Sequence, residues 1–260
     1  MHAGRVEWLD SWPVKSSLSP EPRGLGREFA RRLAAEQASV VAADVRDCSE
    51  VVADVKAERA LAIGAHLDVT DMRSCASIAQ AALDAFGRID VLMNNAALYG
   101  GLRTGPFDTL EEQEWNRVMA VNVTGVWNCC KAVVPSMRER GGGSIINMAS
   151  VVAIYGMLYT LHYTTSKGAV IALTRGLARE LGKDLIRVNA IAPSAVMTEG
   201  TKEFFGERLD KAATGIAKGQ ALQRNLVPGD IAGTVVYLAS DASALLTGQT
   251  IAVDGGTVFL

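Results

Sequence analysis

The sequence predicts one α/β domain of the doubly wound class, in which helices cover both faces of a parallel sheet. Two observations predict this class: short apolar runs rich in Val and Ile alternate with amphipathic segments of helical length, and the alternation continues through almost the whole chain. Parallel strands are buried on both faces, which requires continuous apolar runs of this kind. With 260 residues, 49% of them hydrophobic, the chain can bury one large core.

The individual elements follow from periodicity and length. The first helix is predicted from residue 24, where "GLGREFARRLA" places apolar residues at helical spacing behind a glycine turn. The predicted strands are "ASVVAAD" (38–44), part of "ALAIGAHLDVT" (60–70), "IDVLMNNAA" (89–97), "GGSIINMAS" (142–150), "IRVNAIAPS" (186–194) and "GQTIAVDGG" (248–256). The other predicted helices span 71–87, about 111–140, 162–182 and the region of "PGDIAGTVVYLAS" (228–240).

Composition excludes several classes of function. The net charge is -2 and the charged residues are interspersed, which argues against a nucleic-acid or membrane-surface partner and favours a small-molecule substrate. No apolar run reaches about 18 residues and the first 25 residues lack the pattern of a signal peptide, so a cytoplasmic protein is expected. The cysteines have neither disulfide nor zinc spacing, which predicts reduced thiols and no metal site. They are Cys48, Cys75, Cys129 and Cys130.

The glycine turn formed by Gly24, Leu25 and Gly26 is typical of a dinucleotide site, because it directs a helix N-terminus at a pyrophosphate. Roughly 20 residues later, Asp44 ends a strand, where its carboxylate can accept hydrogen bonds from a ribose and repel a 2'-phosphate. This favours NAD over NADP. Two readings stay open: Asp44 as an ordinary turn residue, and a phosphate site at nearby Arg46.

Two side chains on one predicted helix face can share a site. Tyr163 and Lys167 are four residues apart, so a phenol and an ammonium can converge. An unperturbed tyrosine has a pKa near about 10, and an adjacent cation stabilises its ionised form, which would make it a usable proton acceptor. Alone, this spacing is a weak signal.

The combination of motifs resembles the short-chain dehydrogenase/reductase family, classical type, from about residue 23 to residue 256. Tyr163 lies thirteen positions after Ser150, the spacing which that family shows. The matching pieces are Gly24-x-Gly26, Asp68-Val69, "NNAA" (94–97), Asn122 in "NVTG", Ser150, Tyr163-x-x-x-Lys167, "PSAVMT" (193–198) and "TGQTIAVDGG" (247–256).

The resemblance implies a Rossmann-type fold and a division of catalytic roles. Tyr163 would exchange a proton with the substrate oxygen, and Ser150 would hydrogen-bond that oxygen. Lys167 would hold the nicotinamide ribose and depress the tyrosine pKa, while Asn122 would support a proton-relay water. The residues implied to contact the dinucleotide are Gly24, Leu25, Gly26, Asp44, Asp68, Val69, Asn95, Ala96, Tyr163, Lys167, Val196 and Thr198.

Simpler roles remain open for three of these polar side chains. Ser150 could merely cap a segment, and Asn122 could merely satisfy a helix turn. His162 adjoins Tyr163, but adjacent residues on a helix point to different faces, so a catalytic role for this histidine is not favoured.

Two positions depart from the family pattern. Pro193-Ser194 stands where the family usually has Pro-Gly, and the pattern Thr-Gly-x-x-x-Gly-x-Gly aligns so that Pro20 replaces its first glycine. No apolar strand precedes that turn. Residues 1–22 are therefore interpreted as an atypical N-terminal segment before a domain over 23–260, with the first strand and first turn glycine altered or missing.

A frameshift explains this segment, as a hypothesis. Residues 7–23 can be back-translated so that the frame shifted by one nucleotide encodes "MAGQLAGEVIIVTGAA", which supplies a start, a strand and a Thr-Gly turn. Resequencing the gene tests it, and an intact reading frame would rule it out.

The function expected from the sequence is interconversion of a small, hydrophobic secondary alcohol and its ketone with NAD(H), in a homodimer or homotetramer. The expected pocket wall is Ile154, Tyr155, Met157, Leu158 and Tyr159, with a substrate lid near 199–226. The alternative is an inactive scaffold of the same fold that cannot bind dinucleotide. Isomerase or dehydratase chemistry is less favoured, because such relatives usually carry a larger carboxy-terminal substrate domain.

Overall fold

The computed structural model describes residues 24–259. Its strands are β1 Val40–Asp44, β2 Ala62–His66, β3 Val91–Asn94, β4 Gly143–Met148, β5 Ile186–Pro193 and β6 Thr250–Val253. Its helices are α1 Gly24–Ala35, α2 Ser49–Ala57, α3 Met72–Phe86, α4 Glu112–Met119, α5 Gly125–Arg140, α6 Val152–Tyr155, α7 Leu161–Leu181, α8 Glu199–Phe205, α9 Leu209–Gly219 and α10 Pro228–Ala239.

The predicted doubly wound α/β fold with parallel strands is confirmed. Strand β1 pairs with β2 in parallel, and β3, β4, β5 and β6 form a second parallel sheet in that order. Within residues 24–259 the strands thus form two sheets rather than the single one expected, because no described strand bridges β1 and β3. The expectations for the first strand, the first turn glycine and the frameshifted segment concern residues 1–23 and lie outside the described residues.

Helices pack on both faces of the four-stranded sheet. Successive residues of a strand point to opposite faces. In β3, Leu92 accordingly joins the core cluster that contains Val133 of α5, whereas Met93 joins the cluster that contains Phe29 of α1 and Val235 of α10. All four residues of β3 are buried, which explains why this strand is continuously apolar up to its final asparagine.

Several elements differ from the sequence-based expectation. The predicted helix over about 111–140 is interrupted by a π-helical turn at Ala120–Thr124, a geometry that is frequent at functional sites. Helix α2 was not predicted, and the variable stretch near 199–226 contains α8 and α9. Gly87 ends α3 in the left-handed conformation, with φ of 73°, as its position suggested.

Across residues 24–259, every helix is too short or too polar to cross a bilayer.

Candidate active site

A cavity of about 300 Å³ opens beyond the carboxyl ends of the parallel strands. Asn95 follows β3, Ser150 follows β4 and Ser194 follows β5, and all three line the cavity. In open parallel sheets, ligands bind where the carboxyl ends of the strands converge. The predicted site residues that line it are Leu25, Asn95, Ser150, Tyr163, Lys167, Val196 and Thr198.

Helix α7 presents the phenol and the ammonium to this cavity. Tyr163 and Lys167 are both buried, at 8% and 3% exposure. The Lys167 Nζ donates a hydrogen bond of 2.7 Å to the Met148 carbonyl oxygen at the end of β4, and it lies 5.6 Å from the centroid of the Tyr163 ring. A desolvated cation at this distance favours negative charge on the phenol. The pair can therefore support proton transfer at the cavity.

Ser150 is held at the junction of β4 and β5. Its Oγ donates to the Pro193 carbonyl oxygen at 3.4 Å and accepts from the Val152 backbone N–H at 3.4 Å. The second contact is with the first residue of α6, whose N-cap is Val151 and has no side-chain cap hydrogen bond. Both bonds are long, which leaves the hydroxyl able to turn towards a ligand oxygen.

Asn122 lies in the π-helical turn and is fully buried. Its Oδ1 accepts from the Leu98 N–H at 2.7 Å, and its Nδ2 donates to Ser166 Oγ at 3.1 Å. Ser166 Oγ in turn donates to the Tyr163 carbonyl oxygen at 2.7 Å. Asn122 therefore links the loop after β3 to the backbone of the residue proposed as acid/base, and it does not itself line the cavity.

A buried amide pair fixes the strand ends below the site, and sequence reasoning missed it. Asn94 Nδ2 donates to Asn147 Oδ1 at 2.8 Å, and Asn147 Nδ2 donates to Thr174 Oγ1 of α7 at 2.9 Å. Such a satisfied network holds β3, β4 and α7 in one arrangement. The available signal was Asn147, an amide between the apolar residues Ile146 and Met148.

The predicted adenosine end lies apart from this cavity. Asp44 is buried at the end of β1, where its Oδ1 accepts from the Arg46 N–H at 2.8 Å. Burial raises the pKa of the Asp44 carboxyl, against the opposing effect of the bond from Arg46. The predicted site residues that do not line the cavity are Gly24, Gly26, Asp44, Asp68, Val69, Ala96 and Asn122.

At two glycines near the predicted dinucleotide path the backbone packs so closely against a side chain that no larger residue fits without a shift. Gly24 has φ of +63°, and a Cβ there would lie 3.2 Å from the side chain of Thr198. A Cβ on Gly125 would lie 2.5 Å from the Val69 side chain. Together with the buried carboxyl of Asp44 and the ammonium of Lys167, this close backbone packing fits a dinucleotide.

The expected pocket wall is partly wrong. Tyr155 and Met157 line the cavity, but Ile154, Leu158 and Tyr159 do not, and Leu158 is 82% exposed. Helix α6 ends at Tyr155, and Gly156 and Tyr159 then take positive φ, so the chain changes direction on both sides of Leu158. Ile154 lies on the exposed side of α6 itself. The residues of the expected lid that line the cavity are Gly200, Thr201, Phe205, Ala212 and Ile216.

Among residues 24–259 no group of three or more potential metal ligands converges, and the four cysteines are buried and free.

His162 lies outside the cavity, between α7 and α4. It is 1% exposed, and neither ring nitrogen has a well-formed hydrogen bond. Burial lowers the pKa of His162, while the Glu114 carboxylate opposes this shift and the Arg117 guanidinium adds to it. The buried ring is therefore kept neutral.

We expect the stability of the protein to fall as the pH decreases below about 6.5, because the unfolded histidine binds a proton that the folded one resists. The decrease in Tm between pH 7.5 and 5.5 should be smaller by a few degrees in His162→Leu, since 1 kcal/mol corresponds to about 2–4 °C in a domain of this size. Replacing the exposed His66 by Leu is the matched control and should leave the pH dependence unchanged. Equal slopes for His162→Leu and wild type would show that His162 does not contribute.

Known proteins match nearly the whole chain. Residues 21–258 match the sequence family described as enoyl-(acyl carrier protein) reductase. The chain is 40% identical over 242 residues to a 3-alpha-(or 20-beta)-hydroxysteroid dehydrogenase of Mycobacterium bovis, covering 93% of this chain and 88% of that protein. It is 36% identical over 236 residues to D-threitol dehydrogenase of Mycolicibacterium smegmatis, covering 90% and 88%.

A solved structure agrees with these relatives. The crystal structure of carveol dehydrogenase from Mycobacterium avium in complex with NAD superposes with a TM-score of 0.88 at 31% identity, covering 94% of this chain and 97% of that one. The match in sequence and in fold, around a cavity at the strand ends, makes this chain an NAD(P)-dependent oxidoreductase acting on CH–OH groups. It belongs to the short-chain dehydrogenase/reductase family, classical type.

Proposed function

We propose that this enzyme interconverts a small, hydrophobic secondary alcohol and its ketone with NAD(H), using Tyr163 as the general acid and base. The observation that carries the proposal is the convergence of Ser150, Tyr163 and Lys167 on one largely apolar cavity. A proton donor, a hydrogen-bond donor and a buried cation around one space suit a carbonyl oxygen that gains negative charge.

In reduction, the Tyr163 hydroxyl donates a proton to the substrate oxygen, and in oxidation its phenolate accepts that proton. When bound, the nicotinamide supplies or accepts the hydride. Ser150 Oγ turns from its long bond with Pro193 to donate to the same oxygen. The Lys167 ammonium favours the phenolate, and Asn122 fixes the backbone around Tyr163 through Ser166.

The chain's own residues would hold the dinucleotide along the carboxyl edge of the sheets. The N-terminus of α1 would face the pyrophosphate, and Asp44 would accept from the adenosine ribose. The residues proposed to contact the cofactor are Gly24, Leu25, Gly26, Asp44, Asp68, Val69, Asn95, Ala96, Tyr163, Lys167, Val196 and Thr198.

We expect wild-type protein to bind NADH more tightly than NADPH, because a 2'-phosphate would meet the Asp44 carboxylate. In Asp44→Ala this preference should fall by about tenfold or more, since hydrogen bonds to a charged group contribute about 1.5–3 kcal/mol. Fluorescence titrations with both cofactors measure the change. Asp47→Ala, which removes an exposed acid three residues away, is the control and should retain the preference. Wild-type protein that prefers NADPH would contradict this assignment and point to Arg46.

The cavity wall favours an alicyclic or aryl substrate. Its apolar and aromatic residues include Phe205, Ala212 and Ile216 of the expected lid, together with Tyr155 and Met157. None of these side chains carries a formal charge, so a phosphate group placed against this wall would lose its hydration without gaining an ionic partner there. Relatives whose names denote carveol and hydroxysteroid substrates act on alcohols of this kind.

We further propose a homodimer or homotetramer in the cytoplasm. Helices α5 and α7 expose Trp127 and Leu161, which are large apolar side chains at 49% and 45% exposure. Sedimentation velocity of the purified chain tests the oligomeric state.

The experiment that tests the function is NADH binding, followed by fluorescence, on two proteins. One is the chain as written, and the other begins "MAGQLAGEVIIVTGAA" directly before Gly24. Both are then assayed with alicyclic and aryl secondary alcohols, polyols and an α,β-unsaturated thioester. Micromolar binding and turnover of secondary alcohols support the proposal.

The other outcomes distinguish its rivals. Binding by the second protein alone would mean that the enzyme belongs to the restored gene and that this chain is an inactive scaffold. Turnover of the thioester alone would assign double-bond reduction instead, and absence of binding in both proteins would overturn the proposal.

A further inference from the structure

We propose that Tyr99 is a positioning residue that couples the position of helix α8 over the cavity to the orientation of Tyr163. This inference rests on the proposed function, since it gives Tyr163 the acid/base role. Tyr99 lies in the loop that follows β3 and lines the cavity beside Tyr163. The sequence gives no sign of its role, because its aromatic partners lie far away in the chain.

The ring of Tyr99 lies between the acid/base residue and the lid. Its centroid is 5.4 Å from that of Tyr163, at an interplanar angle of 39°. On the other side it stacks on Phe204 of α8, with centroids 4.8 Å apart and planes 12° from parallel. Phe204 in turn meets the edge of Phe205, which lines the cavity. A continuous row of rings therefore joins Tyr163 to the lid helix.

A second contact attaches the same loop to α8. The Tyr99 hydroxyl makes a polar contact with Thr201, whose own Oγ1 donates to the Val196 carbonyl oxygen at 2.6 Å. Burial raises the pKa of Tyr99 to about 12, although the contact with Thr201 opposes the shift. The hydroxyl is therefore neutral throughout the pH range in which such an enzyme would be assayed.

The loop also approaches the backbone of α8 closely. A Cβ on Gly100 would lie 2.5 Å from Glu203 Oε2, so the Glu203 side chain would have to move, and 3.4 Å from the Gly200 Cα, which is van der Waals contact with the helix backbone. On its other side the loop is held by the bonds between Leu98 and Asn122. The loop is thus anchored to the Tyr163 side of the site and closely fitted to the lid.

This arrangement transmits the position of α8 to the Tyr163 ring. When α8 lies over the cavity, Phe204 fills one face of Tyr99, and Tyr99 then restricts the space in which the Tyr163 ring can turn. When α8 moves away, Tyr99 loses that support and Tyr163 gains freedom. Because a general acid must be held within hydrogen-bond reach of its proton acceptor, the coupling acts on kcat more than on cofactor binding.

The test compares four variants of the full chain. Tyr99→Leu and Phe204→Leu remove the stack, and Tyr99→Phe keeps the ring without its hydroxyl. Phe107→Leu is the matched control, because Phe107 is a phenylalanine at 74% exposure on a surface turn. For each protein we would measure amide hydrogen exchange over 199–219, NADH affinity, and kcat and KM with the best alcohol from the panel.

We expect Tyr99→Leu and Phe204→Leu to accelerate exchange in α8 by about two- to tenfold, the factor that corresponds to one lost aromatic pair. Both should lower kcat by at least a similar factor and leave NADH affinity within about twofold. Tyr99→Phe should retain most of the wild-type kcat, and Phe107→Leu should match wild type. The decrease in kcat caused by Phe204→Leu is the decisive result. Phe204 stacks on Tyr99 and not on Tyr163, so its effect on proton transfer would have to pass through Tyr99.

Two results would overturn the inference. If amide exchange over 199–219 is as slow in both leucine variants as in wild type, the Tyr99–Phe204 stack does not hold α8 in place, whether or not the enzyme turns over an alcohol. Faster exchange with an unchanged kcat would show that the stack holds α8 in place but does not affect the orientation of Tyr163. Failure of the proposed function looks different: wild-type protein itself would neither bind NADH nor oxidise an alcohol.

Discussion

Replacing Tyr163 by phenylalanine is expected to lower kcat by about 10²–10⁴, the range that positioned general acid–base groups contribute. The substitution removes one oxygen and retains the ring that packs against Tyr99. NADH affinity should stay within about threefold, because the phenol oxygen acts on the substrate and the remainder of the cofactor path is unchanged. Steady-state kinetics and fluorescence titration of the same preparation measure both quantities.

Tyr155→Phe is the matched control for this prediction. Tyr155 lines the same cavity, but it is 53% exposed and belongs to α6 rather than α7. Its loss of a hydroxyl should change kcat by less than about threefold. If the two variants retain similar activity, another group transfers the proton and the role proposed for Tyr163 is wrong.

Replacing Lys167 by methionine is expected to lower kcat/KM by about 100-fold or more, because a buried charge that favours the phenolate is removed. Methionine keeps an unbranched side chain of similar length, so packing changes little. The acidic limb of the pH profile for alcohol oxidation should move to higher pH, since the phenol then ionises without a neighbouring cation. A shift of the acidic limb to higher pH indicates loss of the charge, whereas unfolding would lower activity without moving the limb.

Stability must be measured alongside, because the Met148 carbonyl loses the donor that it has in wild type. An unsatisfied buried acceptor costs about 1–3 kcal/mol, which a shift in Tm would report. The control is Lys131→Met, which removes an exposed ammonium 5.0 Å from the Trp127 ring on α5. Activity of Lys167→Met within about threefold of Lys131→Met would exclude the proposed role of the ammonium.

The spacing of Tyr163 and Lys167 could be predicted because it is a property of one helix. Residues four apart share a helix face wherever that helix packs, so the pair needed no knowledge of the tertiary structure. The same holds for the strand ends: parallel strands place Asn95 and Ser150 at one edge of the sheet in any fold of this class. In the structure, the helix pair and the two residues at the strand ends all line the cavity.

The substrate wall could not be predicted in this way. Five neighbouring residues were expected there, but Ile154 lies on the exposed side of α6, and the turns at Gly156 and Tyr159 leave Leu158 and Tyr159 outside the cavity lining. Conversely, the rings of Tyr99 and Phe204 stack on each other. Because 104 residues separate them in the chain, no local sequence pattern could predict this contact. Asn122 shows an intermediate case, because its motif was noticed but its partners Leu98 and Ser166 were not.

By itself, then, the sequence determined the α/β class, the succession of strands along the chain, the helix that carries Tyr163 and Lys167, and the family. These depend on periodicity and spacing along one element, which neighbouring residues set. Only the tertiary structure decided which side chains line the cavity and how the loop after β3 meets α8. Those features arise from contacts between distant segments, and the free energy that selects them is shared among many side chains of the packed core.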